Sequence, residues 1–156
     1  MTRAREIAKL LRSHAVLESL DADLLLELED IATIESVPPG IVLLKEGMPA
    51  DCLFLLLEGT VAVGFQGHGG RFTPIEYVSG NEVLGWSWLI EPYIWEFDGI
   101  AHTSVRAINL DARELRSRMA ENGRLCAVLS RTMLGVMASR VRAIRLGYMN
   151  ACSGGL

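Results

Sequence analysis

Between Arg71 and Arg106 the chain has no lysine or arginine, and after Glu121 it has no acid. The first gap leaves Glu82, Glu91, Glu96 and Asp98 without a local counter-charge, a field that repels a phosphate. The second makes residues 123–156 basic. Arg124, Arg131, Arg140, Arg142 and Arg145 give that end +5, and a whole-chain charge of −4 then leaves −9 for residues 1–122. Such a basic helix can lie on nucleic acid or an acidic membrane surface. The simpler reading is that the arginines meet acids elsewhere in the fold or on a second subunit. On a helix, Arg142 and Arg145 share a face, whereas Arg140 and Arg142 do not.

Cysteine is scarce and unpaired in pattern: Cys52, Cys126 and Cys152 are far apart, with no CxxC. With no signal peptide, this points to a reducing, cytoplasmic setting and away from zinc or iron–sulfur sites, which need clustered ligands. The histidines, His14, His68 and His102, are isolated, and no H-x-H pair is present. No metal site is therefore expected, and each histidine reads as a surface or capping residue. Ser87 follows Gly85-Trp86 but lacks the second glycine of a nucleophile elbow, and Cys126 sits in an apolar helix, so no catalytic residue is assigned. Gly67-His68-Gly69-Gly70 lacks the lysine and helix of a phosphate loop and reads as a hairpin tip. No apolar run approaches the roughly 20 residues of a membrane span.

What is present is ample core material, half the residues being apolar, in a length that suits one domain plus an appended helix. Residues 3–13 place Ile7, Leu10 and Leu11 on one helix face. Leu17 to Ile31 repeats the pattern with Leu24, Leu25, Leu28 and Ile31 behind a cap at Asp21. From Ile34 to Leu110 short strands take over, at Val42–Leu44, Leu53–Leu57, Val61–Phe65, Thr73–Val78 and Val105–Leu110, with turns at Gly40, Gly47, Gly59, 66–70 and Ser79-Gly80. The fold class is α+β, an antiparallel β-barrel or jelly roll with N-terminal helices and a long C-terminal helix. Asp111 caps a helix over Glu114–Glu121, Asn122-Gly123 breaks it, and the long helix runs from Arg124 to Met149 before a flexible tail, residues 151–156. The chain thus divides into residues 1–122, helices and barrel, and 123–156, C-terminal helix and tail.

The long helix carries two apolar stripes. Leu125, Leu129, Met133 and Val136 suit the barrel. Leu134, Met137, Val141, Ile144 and Tyr148 step by three and four, the spacing of a coiled-coil seam, and predict a homodimer, the alternative being that the N-terminal helices of the same chain cover this stripe. A second concentration lies in the barrel itself: all three tryptophans, Trp86, Trp88 and Trp95, fall within ten residues beside Tyr93 and Phe97. They either stack on a flat ligand or a partner protein, or pack a short helix, ended by Pro92-Tyr93, onto the barrel.

Pro39-Gly40, Glu46-Gly47 and Glu58-Gly59, with Ala50-Asp51 before Leu53-Phe54-Leu55 and Val83-Leu84-Gly85 beyond, resemble the cyclic nucleotide-binding domain family over roughly residues 15–149. In that family, the resemblance implies, a glycine-led cassette holds the cyclic phosphate with backbone amides and an arginine, and a glutamate takes the ribose hydroxyl. Here the glutamate position is Trp86 and the arginine position falls near Trp95, so both charged anchors are missing. Val83, Leu84, Gly85, Trp86, Ser87, Trp95 and Phe97 are the expected lining of the ligand site, and the amides from Gly85 to Ser87 its only anion donors.

The resemblance implies a non-catalytic regulatory sensor in which the cassette couples to the long helix. Its ligand would be a cyclic nucleotide or another small planar molecule, with no resident cofactor. The alternative is a degenerate domain serving as an accessory or assembly subunit through its aromatic patch, with a protein partner. In the catabolite activator branch of the family the long helix pairs two subunits and a helix-turn-helix usually follows. No recognition helix is found here, so sequence-specific DNA binding is not expected of this chain alone.

Overall fold

The computed structural model describes residues 2–154. Helices α1 (Arg3–Ser13) and α2 (Ala22–Glu29) open the chain, joined by a 3-10 turn at Ala15–Leu17. The expected continuous helix from Leu17 to Ile31 is thus shorter. Leu17 and Leu20 are buried ahead of α2. The cap falls where expected, with the Leu24 amide donating to Asp21 Oδ1 at 3.1 Å. At the junction His14 is buried: its Nδ1 accepts from the Val16 amide at 3.3 Å and its Nε2 donates to the Leu56 carbonyl at 3.0 Å.

Eight antiparallel strands follow: β1 (Ala32–Val37), β2 (Val42–Leu44), β3 (Cys52–Glu58), β4 (Thr60–Gln66), β5 (Phe72–Ser79), β6 (Val83–Leu84), β7 (Asp98–Ala101) and β8 (Val105–Asp111). They form two four-stranded sheets in the orders β1-β8-β3-β6 and β2-β7-β4-β5. β3 buries Leu53, Phe54, Leu55 and Leu56 in succession, the signature of a strand covered on both faces. Strands β1, β6 and β7 escape the sequence reading. In β7, Asp-Gly-Ile-Ala, only Ile100 favours a strand. A Cβ on Gly99 would lie 3.0 Å from Leu44 Cγ, so any larger residue there would have to displace the Leu44 side chain.

Helix α3 (Ala112–Glu121) starts at Asp111, whose carboxylate accepts from the amides of Arg113 and Glu114. Asn122 then caps α4 (Gly123–Ser153), accepting from the Leu125 amide at 3.1 Å. α4 is longer than expected and continues through Ala151 to Ser153, whose hydroxyl donates back to the Met149 carbonyl at 2.9 Å. The last two residues of the expected tail lie outside the described residues. Leu125, Leu129 and Met133 are buried against the body of the fold and Val136 is half-buried, as the first stripe requires. Of the second stripe, Met137 is half-buried, while Leu134, Val141, Ile144 and Tyr148 are exposed, Tyr148 to 72%.

Candidate ligand site between the tryptophan segment and the C-terminal helix

β6 ends at Gly85, which takes φ +83°, a conformation open chiefly to glycine. The chain then passes through tight turns in which the Leu89 amide donates to Trp86, the Ile90 amide to Ser87 and the Tyr93 amide to Ile90. The short helix expected before Pro92 is not formed. The return limb pairs with residues 47–50: the Trp95 amide donates to the Met48 carbonyl at 3.0 Å and the Gly47 amide to the Trp95 carbonyl at 2.9 Å. Beyond Phe97, the buried Asp98 holds this limb to β2, accepting from Lys45 Nζ at 3.1 Å and the Glu46 amide at 2.8 Å.

The tryptophans separate into different environments. Trp88 is fully buried, Trp95 nearly so, and Trp86 half-buried. Trp95 lies over Gly85, as the nearest approach from a Cβ there would be 2.5 Å to Trp95 Cζ3. A partly open cavity of about 180 Å³ is lined by Leu44, Val63, Ile75, Trp86, Trp95 and Phe97 together with Gly85, Ser87 and Ile144, and Glu76 and Glu96 are its ionisable side chains. Five of the seven expected site residues, Gly85, Trp86, Ser87, Trp95 and Phe97, meet here. Val83 and Leu84 are fully buried in β6, and Val83 borders instead an adjoining groove of about 880 Å³. The amides of Trp86 and Ser87 make no hydrogen bond among the described residues.

That groove runs between Ile75–Val83 and the face of α4 formed by Gly135, Ser139, Ala143 and Gly147. Arg140 crosses the step between groove and cavity. Its guanidinium lies 5.4 Å from the centre of the Trp86 ring, donates to the Val83 carbonyl and sits 3.6 Å from Glu76 Oε1. Only 14% of its side chain is exposed. Burial lowers its pKa from the usual arginine value, opposed by Glu76 and Glu82. A second arginine holds the other side. Arg116 of α3 donates to the carbonyls of Trp88 at 2.7 Å and Ala50 at 3.2 Å, stacks 4.2 Å from the centre of the Tyr93 ring, and pairs with Asp51 at 3.6 Å.

Neither arginine was identifiable as a site residue from sequence. Arg116 lies 21 residues beyond Trp95 and Arg140 45 residues beyond it, each among other helical arginines. The expectation that the basic end meets acids in the fold is met for two of its five arginines, Arg124 with Asp21 and Arg140 with Glu76, while Arg131, Arg142 and Arg145 make no ion pair among the described residues.

A family model for the cyclic nucleotide-binding domain matches residues 34–122, more than half of the chain. The chain belongs to the cyclic nucleotide-binding domain family. A CRP-like cAMP-activated global transcriptional regulator of Mycobacterium tuberculosis is 28% identical over 105 residues, covering 67% of this chain. The chain spans 45% of that relative's length. Among solved structures, a candidate cyclic nucleotide-binding protein from Geobacter metallireducens GS-15 superimposes with a TM-score of 0.78 at 28% identity, over 90% of this chain and 99% of that one. A regulatory subunit of a cAMP-independent protein kinase A from Trypanosoma brucei shares the fold at a TM-score of 0.69 and 23% identity, over 83% of this chain and 47% of its own.

Against this family background, Trp86 and Trp95 stand where the resemblance puts the ribose glutamate and the phosphate arginine. Arg140, the guanidinium next to Trp86, gives one nitrogen to the Val83 carbonyl, while the other, Nη1, is ion-paired with Glu76 at 3.6 Å and has no hydrogen-bond partner among the described residues. Among the described residues no group of three or more histidines, cysteines or acids could hold a metal ion, and no helix is long and apolar enough to cross a membrane.

Proposed function

We propose that this cyclic nucleotide-binding domain is a non-catalytic regulatory sensor that does not hold a cyclic nucleotide in the family's usual way. The observation that carries the reading is Arg140, which ties Trp86 and Glu76 of the cavity wall, and Val83 of the adjoining groove, to the long helix. A molecule entering beside Trp86 disturbs that contact, and α4 shifts with it. Differential contacts of this kind let a ligand bias one arrangement over another.

The output is an α4 surface. Leu134, Val141, Ile144 and Tyr148 stay exposed in the single chain, and a second copy packed along the same stripe would cover them. Ile144 also borders the cavity, so ligand and partner would compete for or share this side chain. Docking through an aromatic patch has less support, because Trp88 and Trp95 are buried.

The test is amide hydrogen exchange of Arg140→Gln against the parent. Loss of the tie raises exchange along residues 138–150 of α4 and exposes Trp86 to a quencher, while β3 and β4 stay protected. Unchanged exchange along α4 overturns the coupling.

A further inference from the structure

We infer that the cavity takes a small, flat, uncharged molecule built on one or two aromatic rings, in place of a nucleotide. This rests on the reading of the cavity as the ligand site. Its volume, about 180 Å³, is below the roughly 300–1,000 Å³ of pockets that enclose drug-sized ligands. It is close to the roughly 150 Å³ of an apolar protein cavity that binds benzene. A molecule of one or two rings therefore fits by size.

The walls specify the chemistry. Three aliphatic side chains, Leu44, Val63 and Ile75, and the rings of Trp86, Trp95 and Phe97 offer flat apolar contact. No lysine or arginine lines the cavity, and its two ionisable side chains, Glu76 and Glu96, are both acids. An anion there would lose its hydration and meet like charge, and Arg140, ion-paired with Glu76, does not line the cavity. The unpaired amides of Trp86 and Ser87 are neutral donors, suited to one acceptor oxygen.

Acetophenone, benzoate and cyclic AMP, titrated calorimetrically and by amide NMR into the full chain after removal of any carried-over molecule, separate these alternatives. Acetophenone and benzoate share a ring and differ chiefly in charge. The expected result is saturable acetophenone binding with shifts at Gly85, Trp86, Ser87 and Trp95, and benzoate weaker by at least tenfold. Ser87→Phe fills the cavity and abolishes these shifts. Ile144→Trp, at an exposed position of its edge, does the same should Ser87→Phe not fold. Tighter binding of benzoate or cyclic AMP overturns the ligand class yet leaves a sensor. Binding of none of the three overturns it as well, and the sensor reading then stands or falls on the hydrogen exchange of Arg140→Gln.

Discussion

Gly85 and Trp95 are fitted to each other: a Cβ added to Gly85 would lie 2.5 Å from Cζ3 of the Trp95 ring, and Gly85 holds φ +83°. The indole at the position expected for a phosphate arginine is therefore packed against the residue that opens the segment. Gly85→Ala meets both a steric and a conformational obstacle and is expected to lower stability by about 2–4 kcal/mol. Chemical denaturation checks this. In Gly85→Ala/Trp95→Leu the two effects are not additive, since the smaller side chain relieves the clash.

Arg116 determines the path of the segment. Arg116→Lys keeps a charge but loses the fork that serves the Trp88 and Ala50 carbonyls and the plane that stacks on Tyr93. It is expected to destabilise by about 1–3 kcal/mol, nearly as much as Arg116→Ala. Thermal melting of the two variants side by side tests this, and full retention of stability by the lysine variant contradicts it.

His14 makes stability pH-dependent. Burial lowers its pKa in the folded state from the ordinary 6.5, opposed by its bond to the Leu56 carbonyl. The unfolded chain then binds the proton more readily, so the contribution of neutral His14 is complete above pH 6.5 and is lost as pH falls below it toward the folded value. Protonation also removes the acceptor that serves the Val16 amide. Denaturation midpoints at pH 7.5 and 5.5 are expected to differ more in the parent than in His14→Gln.

The exposed stripe of α4 predicts self-association. Leu134→Glu or Val141→Glu puts a charge into the seam of a dimer at a position exposed in the single chain. Sedimentation equilibrium is expected to show the parent as a dimer and either variant as a folded monomer whose melting temperature, unlike the parent's, does not depend on protein concentration. A monomeric parent contradicts the assignment.

Much of the fold was legible because it follows local rules. Glycine turns before apolar strands, the caps at Asp21 and Asp111, and the Asn122 break all carry short-range signals. The strands that escaped notice depend on distant partners. Asp98 and Gly99 read as loop residues until Lys45, Glu46 and Leu44 are placed beside them. The candidate site drew attention in the sequence by its gaps, since the resemblance puts a tryptophan at or near each of two charged positions. Its closing contacts were not, because periodicity shows which residues share a helix face but not which carbonyl an arginine reaches. Pro92 suggested the end of a helix, whereas backbone pairing with residues 47–50 favours turns there.

Isothermal titration with cyclic AMP and cyclic GMP tests the central claim most directly, on protein shown by denaturation and extraction to carry no bound molecule. Losing one charged hydrogen bond of about 1.5–3 kcal/mol weakens phosphate binding by roughly ten- to a hundredfold, and here both charged anchors are replaced by tryptophan. The account predicts no saturable binding of either nucleotide in the micromolar range. Saturable micromolar binding would contradict it and make Trp86 and Trp95 part of a nucleotide site.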